Sequence, residues 1–271
     1  MTTTTKASRF MQKGARFYNI RGQQLPGTTS ITGMMNKPAL PNWAAKLTRE
    51  RMCDEAADLY ANTAMQFLPG TDRDKFRAML WKLVDKRAFH NEAAREAADL
   101  GTLAHAQCEW IVNRARGEVV GPDPITAARA TGTDAQTCDR ALWASMAFDQ
   151  WVTDHDVRFI ESEVVVVDDV VGYAGTADLV AFVDGVRSII DLKTSSGVWP
   201  EMYLQLAAYW NAYNVSTARV SDNVERAYIL RLPKKLSDPE FEAVEVTDLP
   251  YHFDAFKALA VVFSWHQGVT K

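Results

Sequence analysis

Residues 172–193 read GYAGTADLVAFVDGVRSIIDLK, and they set two carboxylates and an amine inside what is otherwise a hydrophobic hairpin. Residues 173–183 and 186–192 are rich in Val, Ile, Leu, Phe and Ala, and the Asp184-Gly185 pair between them has the composition of a two-residue hairpin turn. Such a turn makes Val183 face Val186, and counting back from that pair puts Asp178 opposite Asp191. Directly opposed side chains have Cβ atoms about 5 Å apart, and like charges there destabilise a sheet. A divalent cation would compensate: a hard ion such as magnesium takes carboxylate oxygens at about 2.1 Å. Lys193 lies two residues beyond Asp191, so strand alternation puts its ammonium on the same face. The competing reading makes the three residues a solvated salt-bridge cluster at strand ends. Their flanks, Leu179 and Val180 on one strand and Ile189, Ile190 and Leu192 on the other, favour a buried functional cluster.

Outward from the hairpin, other polar residues stand in apolar or helical settings. Residues 101–105, GTLAH, lie in a stretch that reads as helix. A glycine inside a helix costs about 1 kcal/mol against alanine, so Gly101 implies a close approach. Upstream of the hairpin, residues 157–167 read as a strand in which Glu161 and Glu163 share a face. Downstream, Pro200 opens a helix whose Gln205 and Tyr209, four residues apart, lie on one side.

Taken in order, Gly-Thr-Leu-Ala-His105, Gly-Thr-Ala-Asp178, Ile-Asp-Leu-Lys193-Thr-Ser and Gln205-Leu-Ala-Ala-Tyr209 resemble the PD-(D/E)xK nuclease superfamily, specifically its RecB-like exonuclease branch with many phage members. The resemblance implies a restriction-endonuclease-like α/β core: a mixed central sheet flanked by helices, with a helical N-terminal layer. It implies one nuclease domain over residues 1–271, with a mainly helical part to residue 156 carrying His105 and the sheet core from 157 onward. It assigns His105 to the metal site, prefers Glu163 to Glu161 as a further ligand, and places Gln205 and Tyr209 beside the catalytic centre.

The implied chemistry is metal-dependent hydrolysis of DNA phosphodiesters, from ends by resemblance, in phage-type recombination, repair or processing. His105, Glu163, Asp178 and Asp191 would hold one or two Mg2+ or Mn2+ ions, with the backbone carbonyl of Leu192 as a further ligand. Lys193 would orient water or stabilise the phosphate. DNA is the implied partner, beside a single-strand-annealing or single-strand-binding protein. Oligomeric state and endonuclease action stay open, as does a non-catalytic subunit that keeps the fold. No Gly-x-Ser-x-Gly elbow, Walker A loop or dinucleotide fingerprint competes.

With 271 residues, 47% of them hydrophobic and 24% charged, the chain can bury a sizeable core. Its apolar runs are too short for a membrane span and its Thr-rich start lacks a leader's apolar segment, which points to the cytoplasm, that of a bacterial host if the gene is a phage's. Cys53, Cys108 and Cys138 are widely spaced, and three thiols cannot hold the four-cysteine iron–sulfur cluster of some RecB-like members. A net charge of −4 leaves only local basic patches for phosphate. One candidate is Arg231, Lys234 and Lys235 at a turn between strands 224–232 and 241–246; Arg16, Tyr18, Ser30 and Lys46 are others. Helices are expected over 43–67, 71–90, 91–115, 134–155, 200–214 and 248–266, after a polar start at 1–8 and short β-like pieces from 16 to 31.

Overall fold

The computed structural model describes residues 7–35, 39–62, 78–82, 89–217, 220–234 and 241–269. The chain forms two compact units, one of Met1–Met35 with Leu100–Lys271 and the other of Asn36–Asp99. The smaller unit contains helix α2 (Ala39–Asn62), with a surface Lys46–Glu50 pair at 3.8 Å, and the first turns of α3 (Phe89–Ala115). Most of the helix expected over 71–90 lies outside the described residues.

The larger unit is built on a five-stranded sheet, order β4-β5-β6-β7-β8: β4 (Val157–Asp168), β5 (Tyr173–Val183), β6 (Val186–Lys193), β7 (Arg226–Arg231) and β8 (Glu242–Glu245). All neighbours are antiparallel except β6 and β7, which run parallel and are joined through α6 (Pro200–Ser216). The sheet is therefore mixed, as the motif series implies. The β5–β6 turn has φ of 49° at Asp184 and 81° at Gly185, the double left-handed pair of a hairpin turn, and Val183 faces Val186.

Helices cover both faces. On one side α6, α7 (Leu249–Val269) and α1 (Thr28–Thr32) pack over Val180, Ile189 and Ile229, with Tyr173 set edge-on to Phe256 at 4.8 Å and its hydroxyl donating to the Ala208 carbonyl at 2.8 Å. On the other, Leu100, Ala104, Cys108 and Val112 of α3 and Ala141, Ala144 and Phe148 of α5 (Ala135–Asp154) pack over Leu179, Ile190 and Leu192. Burying a Leu or Phe side chain contributes about 1.5–3 kcal/mol, so the helices are fixed by these faces more than by propensity. β6 is the middle strand and covered on both sides, Ile189 packing in one layer and Ile190 and Leu192 in the other.

Two elements depart from expectation. Residues 7–26 form an antiparallel sheet, β1 (Ala7–Gln12), β2 (Ala15–Ile20) and β3 (Gln23–Pro26), so the polar start is a strand from Ala7 onward. Pairing decides it: Phe10 lies opposite Phe17 with rings stacked at 5.8 Å, and Gly27 bridges to Ala174 of β5. The second departure is α4 (Pro124–Ala130), a helix between those expected over 91–115 and 134–155. Its signal was present, since Asp123 accepts from the Thr126 amide at 2.8 Å and Pro124 occupies the first turn.

Candidate active site

The β5–β6 ladder runs from Val183–Val186 to Leu179–Ile190 and stops one rung short of the two aspartates. Asp178 and Asp191 therefore do not form the paired rung that the turn count predicts. The Asp178 carboxylate instead occupies the opening and accepts the Leu192 amide through Oδ2 at 2.6 Å. Opposed carboxylates repel, whereas a carboxylate receiving a backbone N–H is stabilised, and the strands part here. Lys193 turns its carbonyl to β7, where the Leu232 amide donates to it at 2.7 Å. Peptide groups alternate along a strand, so the Leu192 carbonyl points to the side of β5, towards this opening.

Asp191 and Lys193 lie on one face as alternation requires, and the ammonium pairs with Asp191 Oδ2. Asp191 is only 2% exposed. Burial pushes its carboxyl up to about 6, with the negative charge of Asp178 adding to the rise and Lys193 opposing it. Burial pushes Asp178 the same way, but His105, Lys193 and the Leu192 amide outweigh it and hold Asp178 below the usual carboxylate range.

His105 reaches Asp178 from α3, Nδ1 to Oδ1 at 3.5 Å. Burial disfavours its protonation, yet the Asp178 carboxylate prevails and raises its pKa. The close approach implied by Gly101 is real: a Cβ there would sit 2.9 Å from Oγ1 of Thr194, the residue after Lys193. The glycine lets α3 lie against the end of β6, and one turn further His105 meets Asp178.

The structure separates the two glutamates. A left-handed φ of 50° at Glu163 breaks the alternation expected to align them; the bulge of this strand, between Phe159 and Glu161, precedes both. Glu163 stands where Asp178 and His105 both act on it; burial, then Asp178 and Glu109, raises its carboxyl, while Arg9 and His105 oppose the rise. Glu161 acts instead on Tyr213 of α6.

From α6, Gln205 donates to the Tyr209 hydroxyl at 2.6 Å, both side chains buried. That leaves the Tyr209 O–H to donate elsewhere, and Asp191 is the carboxylate acting on it most strongly. Tyr209 packs where only glycine fits, since a Cβ on Gly175 would lie 2.4 Å from the ring.

The donor set suits a divalent cation: the buried carboxylate of Asp191, the partly buried one of Asp178, a third from Glu163, an imidazole and a strand-end carbonyl, hard oxygens with one nitrogen. Asp191 Oδ2, buried and ion-paired to Lys193, takes no well-directed hydrogen bond. Among the described residues no three His, Cys, Asp or Glu side chains converge closely enough to enclose an ion. Asp178 faces His105 and Asp191 faces Lys193.

Of the expected turn patch, Arg231 is the last residue of β7 and 4% exposed, and its Nε donates at 3.1 Å to Oε2 of Glu242, an exposed carboxylate on β8. Lys234 is half-buried and its carbonyl accepts from Arg140 at 2.7 Å; Lys235 lies outside the described residues. Ser30 exchanges hydrogen bonds with the Arg16 backbone. Sequence reading missed two contacts, that of Thr176 Oγ1 with the Tyr18 hydroxyl at 3.0 Å and that of Thr194 beneath Gly101. Both threonines stand inside the motifs quoted above, but only the tertiary approach of separate elements reveals what they touch.

The family model of the PD-(D/E)XK nuclease superfamily matches residues 75–264. The chain belongs to the PD-(D/E)XK nuclease superfamily. Its five-stranded mixed sheet with helices on both faces is that fold, and members generally use divalent metal ions on DNA. Among solved structures, a Eubacterium rectale protein with an assigned, not demonstrated, exonuclease function is similar at 14% identity and a TM-score of 0.37, over 55% of this chain and 61% of that one. No curated protein matches. No helix among the described residues is long and apolar enough to cross a membrane.

Proposed function

We propose that this PD-(D/E)XK protein is a metal-dependent DNA exonuclease of the RecB-like kind, serving phage-type recombination, repair or DNA processing in the cytoplasm, with residues 1–271 acting as one nuclease domain. The observation that carries the reading is the convergence of Asp178, Asp191 and Lys193 where β5 and β6 part. The preference for ends rests on the ordered motifs from Gly101 to Tyr209.

His105, Glu163, Asp178, Asp191 and the Leu192 carbonyl would hold Mg2+ or Mn2+, which supplies Lewis acidity and lowers the pKa of bound water. The chain's own groups do the positioning. Asp191, buried beside Lys193, fixes the ammonium, which is then available to a phosphate oxygen or to the attacking water. Gln205 locks Tyr209 so that its remaining proton is offered towards the carboxylates. A single-strand-annealing or single-strand-binding protein is the partner that would consume the exposed strand.

The test is digestion of an end-labelled linear duplex and its closed-circular counterpart with Mg2+, Mn2+ or EDTA, beside the Lys193→Ala protein. Metal-dependent loss of the linear DNA, survival of the circle and an inactive variant, at least 100-fold down in kcat, are expected. Cutting of the circle makes it an endonuclease. Binding of both DNAs without cleavage makes it a non-catalytic subunit.

A further inference from the structure

Residues 7–26 carry Arg9, Lys13, Arg16 and Arg21 and no Asp or Glu, although the whole chain has a net charge of −4. This concentration of positive charge is a folded surface. Arg9 lies opposite Tyr18, and Met11 opposite Arg16, so Arg9, Arg16 and Tyr18 share one face of the small sheet. The same face carries Ile20 and Leu25, which pack with Tyr18 on Ala174 of β5, while on the opposite face Phe17 lies against Phe263 at 6.4 Å. Tyr18 is 3% exposed and its hydroxyl meets Thr176, two residues before Asp178 on β5, whereas Arg9 and Arg16 are exposed.

Thr176 pairs with Val165, two residues beyond Glu163, which brings this face beside the acidic centre. The charge of Arg9 accordingly acts on Glu163. The backbone at Arg16 is fixed by Gly27 and Ser30, at 2.8 and 2.7 Å. An acidic site that must receive a polyanion needs such a flank, because a negative centre alone repels its substrate.

We propose that Arg9 and Arg16 are phosphate contacts that hold the polynucleotide beside the Asp178–Asp191–Lys193 centre, with the Tyr18–Thr176 hydrogen bond fixing the sheet that carries them. The proposal rests on the nuclease reading above. It is tested with full-length Arg9→Ala, Arg16→Ala, the double variant and Tyr18→Phe, each first melted to confirm folding. Binding of a fluorescein-labelled duplex is measured across a salt series in the Lys193→Ala background, and KM and kcat in the active background.

Each arginine variant is expected to raise Kd and KM about tenfold with kcat unchanged, and the double variant to lower the salt slope by about two. Tyr18→Phe raises KM less, and Arg9→Lys restores part of the loss. An unchanged salt slope overturns the proposal. So does a loss confined to kcat or to half-saturating metal, the mark of an Arg9 that serves only to offset Glu163. If the parent protein binds DNA and cuts none, the nuclease reading fails while the salt slope still decides the arginines.

Discussion

Asp191 is the residue on which the site's pH behaviour turns. A free aspartate titrates near 3.9 and the folded one at about 6, so between those values the folded state holds the proton more tightly than the unfolded chain. Stability of the metal-free protein is therefore expected to fall as pH rises from about 4 to about 6, by on the order of 2 to 3 kcal/mol from this group. Glu163 is also raised and acts in the same direction. Asp178 is lowered, so its contribution is present above about 4 and is lost only in stronger acid. Melting in EDTA at pH 4.5 and 7 checks this; Asp191→Asn must flatten the slope, and an unaltered slope refutes the assignment.

At the scale of elements, the contact that orients the site is α3 on the end of β6. Gly101→Ala would drive a Cβ to 2.9 Å from Thr194 Oγ1. Overpacking costs about 1–3 kcal/mol, partly offset by about 1 kcal/mol of helix propensity, so the net loss of stability is small. Activity is the sharper readout, because His105 moves with the helix and a misplacement of about 1 Å can cost 100-fold. A kcat lowered about 10- to 100-fold is expected, recovered largely in Gly101→Ala/Thr194→Ala, where the obstructing hydroxyl is gone. If Gly101→Ala keeps full kcat, the close approach has no bearing on the site.

Over the whole molecule, the acidic centre is assembled from β5, β6 and α3, with Glu163 of β4 beside it, so an ion bound there ties these elements together. Thermal melting with Mg2+ or Mn2+ against EDTA is expected to show stabilisation of about 2.7 kcal/mol at 100 times Kd, a rise of several degrees. The shift should be absent in Asp178→Asn/Asp191→Asn, and weaker below pH 6, where protons compete for Asp191. A double variant that still responds to metal places the ion elsewhere.

Turn chemistry, strand alternation and helix periodicity are local, and what depends on them was legible in the amino-acid order alone. Asp184-Gly185 set the hairpin register, two-residue spacing put Lys193 beside Asp191, and an unexplained helical glycine announced a close approach. The superfamily followed from the ordered motifs. Tertiary structure decided the rest, because each remaining feature depends on where separate segments meet. The ladder opens at Asp178 because a carboxylate prefers the Leu192 amide to a facing aspartate. Glu163 parts from Glu161 through one left-handed residue, Arg231 meets Glu242 once β8 pairs with β7, and a polar N-terminal stretch becomes a basic sheet because Tyr18 reaches Thr176 far along the chain.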